Sequence, residues 1–372
     1  MPASANQKYD AIIVGTGIAG LSVALSLARR KQKVLMIGKK NLRGESSPAA
    51  AGILDPFLEM NSYHPLFQLS CEAFSRYPAW LKQLRKFGRG DLGYARPGML
   101  YVAFNRREEA ELKKRYLWQR QSGIPVVRQS RSEILESEPR LARQALSGLF
   151  YPTIGRIKPR IFLKFLFHCA KGLGIRILRT EEDPHLLTLK NRAEGIQAGS
   201  RVYRSKAVVN ATGAWAGQNS YLGIQAPISP ARGQILVVKG KRITSRILHS
   251  LTGFYIVPWE RNTYLLGSTV EFSGFKAETT QQGIHKIREG TEKIIPGLES
   301  YKAVNQWAGL RPFSKDRLPL IGPASIKGLY CALGFYRSGI LIGSYVGELM
   351  AEGMISRKWP KILKPFDPRR LG

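Results

Sequence analysis

Three glycines near the N-terminus have the spacing of a dinucleotide-binding loop. Gly15, Gly17 and Gly20 form GxGxxG between an apolar run, residues 9–14, and a small, apolar segment with helical spacing, residues 18–30. The first glycine of such a loop permits a tight turn, the second lets the backbone approach a pyrophosphate, and the third lets the helix pack on the strand. N–H groups at the helix start then face the phosphates. The motif predicts a nucleotide cofactor.

The residue that would bind the ribose is missing from its usual place. A second apolar run, residues 33–37, should end in a carboxylate about 20 residues after the loop. Gly38 stands there instead, followed by Lys39 and Lys40. Two lysines without an acid are what an NADP site shows when they bind the 2′-phosphate, whereas an FAD site would have lost one contact. The loop alone leaves both cofactors open.

Length and composition are typical of a globular protein with two or three lobes. The chain has 372 residues, of which 44% are hydrophobic, enough for a sizeable core. No apolar run reaches the ~18 residues of a membrane span, and residues 1–10 lack a secretory signal pattern. We therefore expect a cytoplasmic protein with no membrane span. Three distant cysteines and five scattered histidines argue against a disulfide framework and a metal site.

The chain is strongly basic. Its 58 Lys and Arg residues exceed the 26 Asp and Glu residues and give a net charge of +32 at pH 7. Such a charge attracts polyanions non-specifically. A general basic bias or a solvated surface is the favoured explanation, since no RNA-binding signature accompanies the charge. Contact with tRNA remains an open alternative.

The order of apolar runs predicts an interleaved α/β architecture. The glycine loop belongs to a β-α-β unit, and further strands are predicted at 175–178, 186–190, 207–211 and 329–333. Residues 64–145 are helical and charged, with a possible hairpin within 92–104, and 235–267 indicates an antiparallel sheet. Helices are predicted at 160–173 and 339–354. We expect a nucleotide domain assembled from distant segments, with a second domain inserted.

Six further segments follow in a recognisable order. They read SSPAAAGIL (46–54), VVNATGAWAG (208–217), ARGQIL (231–236), FYIVPWERNTYLLGSTVE (254–271, a predicted hairpin), WAGLRPFSKDRLPLIGP (307–323) and GLYCALGFYRSGIL (328–341). With the glycine loop, they resemble the FAD-dependent D-amino acid oxidase family over nearly the whole chain. The strongest resemblance is to the glycine oxidase branch involved in thiamine biosynthesis. Relatives include sarcosine oxidases, D-amino acid dehydrogenases and the FAD domain of a bifunctional tRNA 5-methylaminomethyl-2-thiouridine enzyme.

The resemblance implies an α/β (α+β two-domain) fold, with a Rossmann-like FAD-binding domain and an inserted antiparallel-sheet substrate domain. We expect residues 1–63, 146–220 and 306–372 in the FAD-binding domain and residues 64–145 and 221–305 in the substrate-binding domain. Non-covalent FAD is the implied cofactor, because Cys331, near the attachment region of sarcosine oxidases, lies on a predicted buried strand. The expected FAD contacts are Gly15, Gly17, Ile18, Ala19, Gly20, Gly38, Lys39, Ser46, Ser47, Ala50, Ala51, Gly52, Thr212, Gly213, Trp215, Arg337, Ser338, Gly339 and Ile340.

The resemblance also implies the chemistry. A family arginine that holds the substrate carboxylate corresponds to Arg311, and a planar guanidinium suits this task because it makes two parallel hydrogen bonds. The hairpin tyrosine corresponds to Tyr255, and a further arginine beside the flavin to Arg337. The implied reaction oxidises the C–N bond of glycine or another small amino acid or secondary amine by hydride transfer to flavin N5. It yields an imine and, with oxygen as acceptor, hydrogen peroxide.

The chain departs from the family pattern at three positions. Gly38 replaces the ribose acid, so we expect Gly38→Glu to tighten FAD binding. Ile53 and Asp55 replace a Met and a small residue of the glycine oxidase branch, and as expected pocket residues they leave the exact substrate open.

Other functions remain open at this stage. Flavin-dependent oxidation of a carboxymethylaminomethyl group on a tRNA wobble uridine would use the same chemistry and the basic charge. An NADP-dependent reductase and a non-enzymatic nucleotide-binding protein are further alternatives. The electron acceptor, oxygen or another molecule, and a possible homo-oligomer are not decided by the residues.

Overall fold

The structure, a computed structural model, describes residues 8–40, 42–57, 64–224 and 226–371. The strands of these residues are β1 Ala11–Val14, β2 Val34–Lys39, β3 Ile53–Leu54, β4 Tyr94–Ala95, β5 Met99–Ala103, β6 Val127–Ser130, β7 Ser147–Tyr151, β8 Gly155–Ile157, β9 Arg176–Thr180, β10 His185–Leu189, β11 Arg192–Ala198, β12 Arg201–Arg204, β13 Val208–Asn210, β14 Ile228–Lys239, β15 Ile247–Ser250, β16 Tyr255–Glu260, β17 Thr263–Gly267, β18 Lys302–Ser314, β19 Leu320–Pro323 and β20 Leu329–Leu333.

Eight α-helices lie among the described residues. They are α1 Ile18–Ala28, α2 Ser46–Ala49, α3 Pro65–Leu84, α4 Arg106–Gln121, α5 Arg131–Ser137, α6 Pro159–Gly172, α7 Gln281–Glu292 and α8 Gly339–Ser356. The helices predicted at 160–173 and 339–354 are confirmed as α6 and α8.

A six-stranded sheet holds the glycine loop, with strand order β19-β20-β13-β1-β2-β9. Strand β1 is parallel to both neighbours, and Ile13 pairs with Met36 of β2 and Val209 of β13. All four β1 residues are buried, as is typical of a parallel strand covered on both faces. The carboxyl ends of β1, β2 and β13 therefore meet at one edge, where an open α/β sheet binds its ligand.

Helices α1 and α8 pack together. The two backbones approach closely at Gly347 of α8, where a Cβ would lie only 2.5 Å from the Ser22 carbonyl carbon of α1. Nine of the eleven α1 residues are buried, so this helix has no polar face. The small residues read from the sequence thus fix the position of the loop that precedes α1.

An eight-stranded sheet forms the second layer, with order β18-β14-β17-β16-β15-β5-β7-β6. Its longest pairing is antiparallel, between β14 and β18, and includes Ala231 opposite Arg311. Strands β16 and β17 form the predicted hairpin, with Tyr255 opposite Gly267. The sheet is mixed, since β15 is parallel to β5. The expected mixed α/β, two-domain fold is confirmed by solved structures presented below.

The hairpin predicted within residues 92–104 is wrong. Strand β4 pairs with β8, whereas β5 pairs with β7 and β15. Alternating apolar and polar residues indicated strands, but the strands pair with distant parts of the chain.

The domain boundaries stay a prediction. Strand β7 joins the eight-stranded sheet, although it falls within the segment 146–220 that was assigned to the FAD-binding domain. No helix in the described ranges is long and apolar enough to cross a membrane.

Candidate functional site

The glycine loop closes the gap between β1 and α1. Gly15 has φ +117°, and a Cβ there would lie 2.2 Å from the Ala211 carbonyl oxygen. A Cβ on Gly20 would lie 2.1 Å from the Gly15 carbonyl oxygen, whereas the nearest atom to a Cβ on Gly17 is the Ser47 hydroxyl, at 3.2 Å. The first and third glycines therefore allow close packing. A Cβ on the second would be tight against the Ser47 hydroxyl, so only its missing side chain would let the backbone there approach a pyrophosphate.

Three adjoining cavities extend from this loop. The first, called the nucleotide groove, has a volume of about 350 Å³ and is lined by residues including Gly15, Gly38, Glu45, Asp183 and Trp215. A middle cavity of about 80 Å³ lies at the start of α8 and is lined by residues including Ile18, Phe335 and Gly339. The third, called the inner cavity, has about 160 Å³ and is lined by residues including Ile53, Asp55, His249, Tyr255 and Arg311.

Shared walls join the three cavities into one elongated site. Ser46 lines all three, Gly213 lines the groove and the middle cavity, and Arg337 lines the middle and inner cavities. Gly213 has φ +63°, and a Cβ there would find no atom within 4 Å, so this backbone faces open space. The site therefore suits a dinucleotide that lies across the edge of the first sheet with one end in the inner cavity.

The structure places the expected contact residues around this path. Residues at the nucleotide groove are Gly15, Gly17, Gly38, Lys39, Ser46, Ser47, Thr212, Gly213 and Trp215. Those at the middle cavity include Ile18, Ala19, Ala50, Arg337, Gly339 and Ile340. Ala51, Gly52, Ile53, Asp55, Tyr255, Arg311 and Ser338 line the inner cavity. Gly20 lies behind the loop and acts through packing. The individual roles of these residues stay predictions.

The segment before β3 is held in place from three sides. The Ser47 hydroxyl accepts a hydrogen bond from the Ile18 N–H at 3.0 Å, and the Ser46 hydroxyl donates to the Leu310 carbonyl. Gly52 has φ +73°, and a Cβ there would lie 1.9 Å from the Ile157 carbonyl oxygen. Ser46 to Gly52 thus form a fixed wall, and its small residues let the backbone lie against a flat ring.

The end of β2 differs from the expectation drawn from the sequence. A Cβ on Gly38 would lie 2.6 Å from Thr16 Oγ1 and 2.9 Å from Arg179 Nη1. A carboxylate side chain cannot start there without displacing them. These contacts argue against the expectation that Gly38→Glu tightens FAD binding, which stays a prediction for a binding titration.

The two lysines after Gly38 both have acidic partners. Lys39 Nζ lies 2.7 Å from Asp183 Oδ1, and Lys40 Nζ lies 3.2 Å from Glu181 Oε1. Burial raises the pKa of Asp183, but the hydrogen bond from Lys39 and other interactions hold it below its usual value. Because these carboxylates neutralise the lysines, the pair is poorly suited to a 2′-phosphate, and the NADP interpretation loses its support.

Arg311 lies on β18 and lines the inner cavity. Its guanidinium donates to the Thr269 carbonyl oxygen and to Ser268 Oγ, both at 3.0 Å. It lies directly over Gly233 of the neighbouring strand β14, since a Cβ there would be 2.1 Å from Nη2. These contacts fix the plane of the Arg311 guanidinium. A guanidinium held in this way can bind a carboxylate through two parallel hydrogen bonds.

Tyr255 and His249 form a second wall of the inner cavity. The Tyr255 ring lies over Gly267 on β17, where a Cβ would be 2.5 Å from the hydroxyl. The His249 ring centroid lies 5.6 Å from that of Tyr255. His249 Nδ1 is 2.8 Å from the Ser250 carbonyl oxygen, which can only accept, so Nδ1 holds the proton and Nε2 has a free lone pair. Burial lowers the pKa of His249 to about 4, so the ring is neutral at pH 7.

Arg337 and Asp55 place opposite charges at the same cavity. The Arg337 guanidinium lies 5.3 Å from the Tyr336 ring centroid. Asp55 Oδ1 accepts a hydrogen bond from the Phe57 N–H at 2.8 Å. This N–H orients the Asp55 carboxyl within the chain turn that follows β3.

Comparison with known proteins identifies the family. The model of the FAD dependent oxidoreductase family called DAO matches residues 10–353. This chain belongs to that family. The FAD-dependent oxidoreductase is 29% identical over 369 residues to glycine oxidase of Geobacillus kaustophilus, covering 98% of this chain and 97% of that protein. It is also 27% identical to the bifunctional protein ThiO/ThiG of Trichormus variabilis, covering 97% of this chain but only 55% of that protein.

Solved structures confirm the fold of the FAD-dependent oxidoreductase. The crystal structure of glycine oxidase from Geobacillus kaustophilus has a TM-score of 0.88 and 28% identity, covering 97% of this chain and 98% of that one. The crystal structure of glycine oxidase from Bacillus cereus has a TM-score of 0.87 and 28% identity, and the match covers 94% of this chain and 96% of that one. The α/β class and the resemblance to glycine oxidase are thus confirmed.

The elongated site of the FAD-dependent oxidoreductase fits its cofactor. The open backbone at Gly213 would leave room for the cofactor, and the small residues of the wall from Ser46 to Gly52 would offer the flavin a flat surface. Cys331 is fully buried in β20, and burial raises its pKa to about 12. A buried thiol in its protonated form agrees with non-covalent FAD.

Sequence reasoning missed several residues of this oxidoreductase site. Gly233 and Gly267 make room for Arg311 and Tyr255 from neighbouring strands, and His249 enters the cavity from β15. Gly233 and Gly267 lie within the segments 231–236 and 254–271 and His249 within the predicted sheet at 235–267, but strand register decides which residues face each other, and the sequence does not give it.

Proposed function

We propose that this FAD-dependent oxidoreductase catalyses the oxidative deamination of glycine or another small amino acid or secondary amine. The products are an imine and, with oxygen as the acceptor, hydrogen peroxide. The main support is the convergence of Arg311 and Tyr255 on a cavity that also borders the flavin wall. At about 160 Å³, this cavity is smaller than the roughly 300–1,000 Å³ of drug-sized ligand sites, which favours a small substrate.

Arg311 and Tyr255 orient the substrate in this proposal. The guanidinium binds the carboxylate through two hydrogen bonds, and the Tyr255 hydroxyl donates a further one. Thr269 and Ser268 hold the guanidinium at 3.0 Å each, so the fork is positioned before the substrate arrives. Fixing the carboxylate directs the α-carbon toward the wall formed by Ala50, Ala51 and neighbouring residues.

The amine end of the substrate lies near His249 in this proposal. The neutral ring offers the Nε2 lone pair to an amine N–H, and it adds no positive charge that would repel an amine. When bound, FAD would supply the acceptor for the α-hydrogen of the substrate and its electron pair. The protein therefore needs no side-chain base at the α-carbon, and its contribution is binding and orientation.

Anaerobic mixing tests the proposed activity. The flavin-loaded protein is mixed with glycine, sarcosine and small D-amino acids while the visible flavin absorbance is followed. Bleaching by at least one of them, and loss of bleaching in Arg311→Ala, is the expected result. Protein that keeps its flavin oxidised with every amine would overturn the proposal.

The net charge of +32 supports a second candidate function, oxidation of a carboxymethylaminomethyl group on a tRNA wobble uridine. This group is an N-substituted glycine, so Arg311 would bind its carboxylate in the same way. A polyanion bound by many Lys and Arg residues dissociates steeply as salt rises. Bleaching by modified tRNA but not by free glycine would select this candidate.

A further inference from the structure

The place of the missing ribose acid is filled by other side chains. The Thr16 hydroxyl and the Arg179 guanidinium occupy the space that a Gly38 side chain would enter, at 2.6 and 2.9 Å from its Cβ position. Arg179 Nη1 also donates to the Lys39 carbonyl oxygen at 3.4 Å. The strand end therefore presents a cation where other nucleotide sites present a carboxylate. An acid that binds the ribose has to come from another element.

Among the described residues, two carboxylates line the nucleotide groove, those of Glu45 and Asp183. Asp183 is engaged by the Lys39 ammonium at 2.7 Å. Its side chain is 40% exposed, so water also competes for its oxygens. A carboxylate already neutralised by a lysine gains little from a ribose hydroxyl, which leaves Glu45 as the better acceptor.

Glu45 is held between β2 and α2 by the neighbouring sheet. Its backbone bridges to Leu310 of β18, and the Leu310 N–H donates to the Gly44 carbonyl oxygen at 2.8 Å. Within the described chain, no hydrogen bond reaches the Glu45 carboxylate. Burial raises the pKa of Glu45, and the charge of Arg179 offsets this in part. Glu45 and Gly38 line the same groove, so the Glu45 carboxylate belongs to the wall that includes the vacated position.

We propose that Glu45 binds the adenosine ribose hydroxyls of FAD in place of the acid that is absent at Gly38. The ribose offers two hydroxyl donors, and a partly desolvated carboxylate with no other donor gains most from accepting them. This inference concerns the cofactor alone, so it stands or fails independently of which amine is oxidised.

Titration of apoprotein with two ligands tests the assignment through FAD fluorescence. One ligand is FAD, and the other is an FAD analogue whose adenosine lacks both the 2′- and 3′-hydroxyls. Wild-type protein should bind the analogue roughly 10- to 150-fold more weakly than FAD, the range for hydrogen bonds to a charged group. Glu45→Gln should weaken FAD by a similar factor and leave the dissociation constant of the analogue unchanged.

Asp183→Asn is the matched control, since it removes the other carboxylate of the groove. It should change the dissociation constants of FAD and of the analogue by the same factor. Equal binding of both ligands by wild-type protein would overturn the proposal without any variant. The proposal would also be overturned if Asp183→Asn lowered the affinity for FAD but not for the analogue, while Glu45→Gln changed neither. That result would assign the ribose to Asp183.

Discussion

Replacing Gly233 by alanine should weaken carboxylate binding without replacing any charged residue. A Cβ at this position would lie 2.1 Å from Arg311 Nη2, 2.2 Å from Cζ and 2.3 Å from Nη1. Ordinary van der Waals contact begins at 3.4 Å, so the guanidinium has to move by at least 1.3 Å, the difference between 3.4 and 2.1 Å. Gly233 has no left-handed backbone angle, and the displaced atoms end a flexible side chain, so the variant should still fold.

The displacement allows an estimate of the effect. Moving the fork by more than 1 Å stretches its 3.0 Å hydrogen bonds to Thr269 and Ser268 and misaligns both donors. A misplacement of about 1 Å costs on the order of 100-fold in catalysis. We therefore expect a loss of about 10- to 100-fold in affinity for a substrate carboxylate, with unchanged FAD affinity.

Two titrations separate these effects. A small carboxylate without an amine, such as acetate, is titrated into flavin-loaded protein while the flavin spectrum is followed, and FAD is titrated into apoprotein. Ser229→Ala is the control, because Ser229 is exposed on the same strand, β14. Wild-type carboxylate affinity in Gly233→Ala would refute the placement of the carboxylate on Arg311.

Three further changes probe other parts of the site. Gly38→Glu should weaken FAD binding in apoprotein titrations, by roughly 5- to 150-fold, because overpacking against Thr16 costs about 1–3 kcal/mol; tighter binding would contradict this. Tyr255→Phe should weaken the affinity for a small carboxylate about 10-fold, because one hydrogen bond to a charged group is lost. An unchanged dissociation constant for acetate would exclude a hydrogen bond from Tyr255 to the carboxylate. Burial lowers the pKa of His249 from 6.5 to about 4, so the unfolded chain takes up a proton between these pH values that the folded protein does not. The free energy of unfolding should therefore fall by at most about 3 kcal/mol as pH drops from 6.5 to 4, and urea titrations of His249→Gln should lack this component.

Local patterns in the sequence were sufficient for the packing of the glycine loop. The roles assigned to Gly15 and Gly20 agree with their close contacts, because the spacing GxGxxG reflects a turn, a strand and a helix that are neighbours in the chain. Information of this kind lies within a window of about 30 residues.

Long-range pairing explains what the sequence did not reveal. The false hairpin within 92–104 arose because alternation identifies strands but not their partners. Gly233 supports Arg311 only through the register of β14 against β18, across nearly 80 residues of chain. At Gly38, the absent acid was read as a lost contact, whereas the structure places Arg179 from β9 in its space. Such contacts require the fold itself.

An amine bound through Arg311 should reduce FAD directly. Anaerobic mixing of flavin-loaded protein with glycine and sarcosine, for wild type and for Arg311→Lys, tests this. We expect flavin bleaching in wild type and a substrate affinity roughly 10- to 150-fold lower in the lysine variant, which loses the second parallel hydrogen bond. Bleaching with equal substrate affinity in both proteins, or flavin that stays oxidised in wild type with every small amine and with modified tRNA, would contradict it.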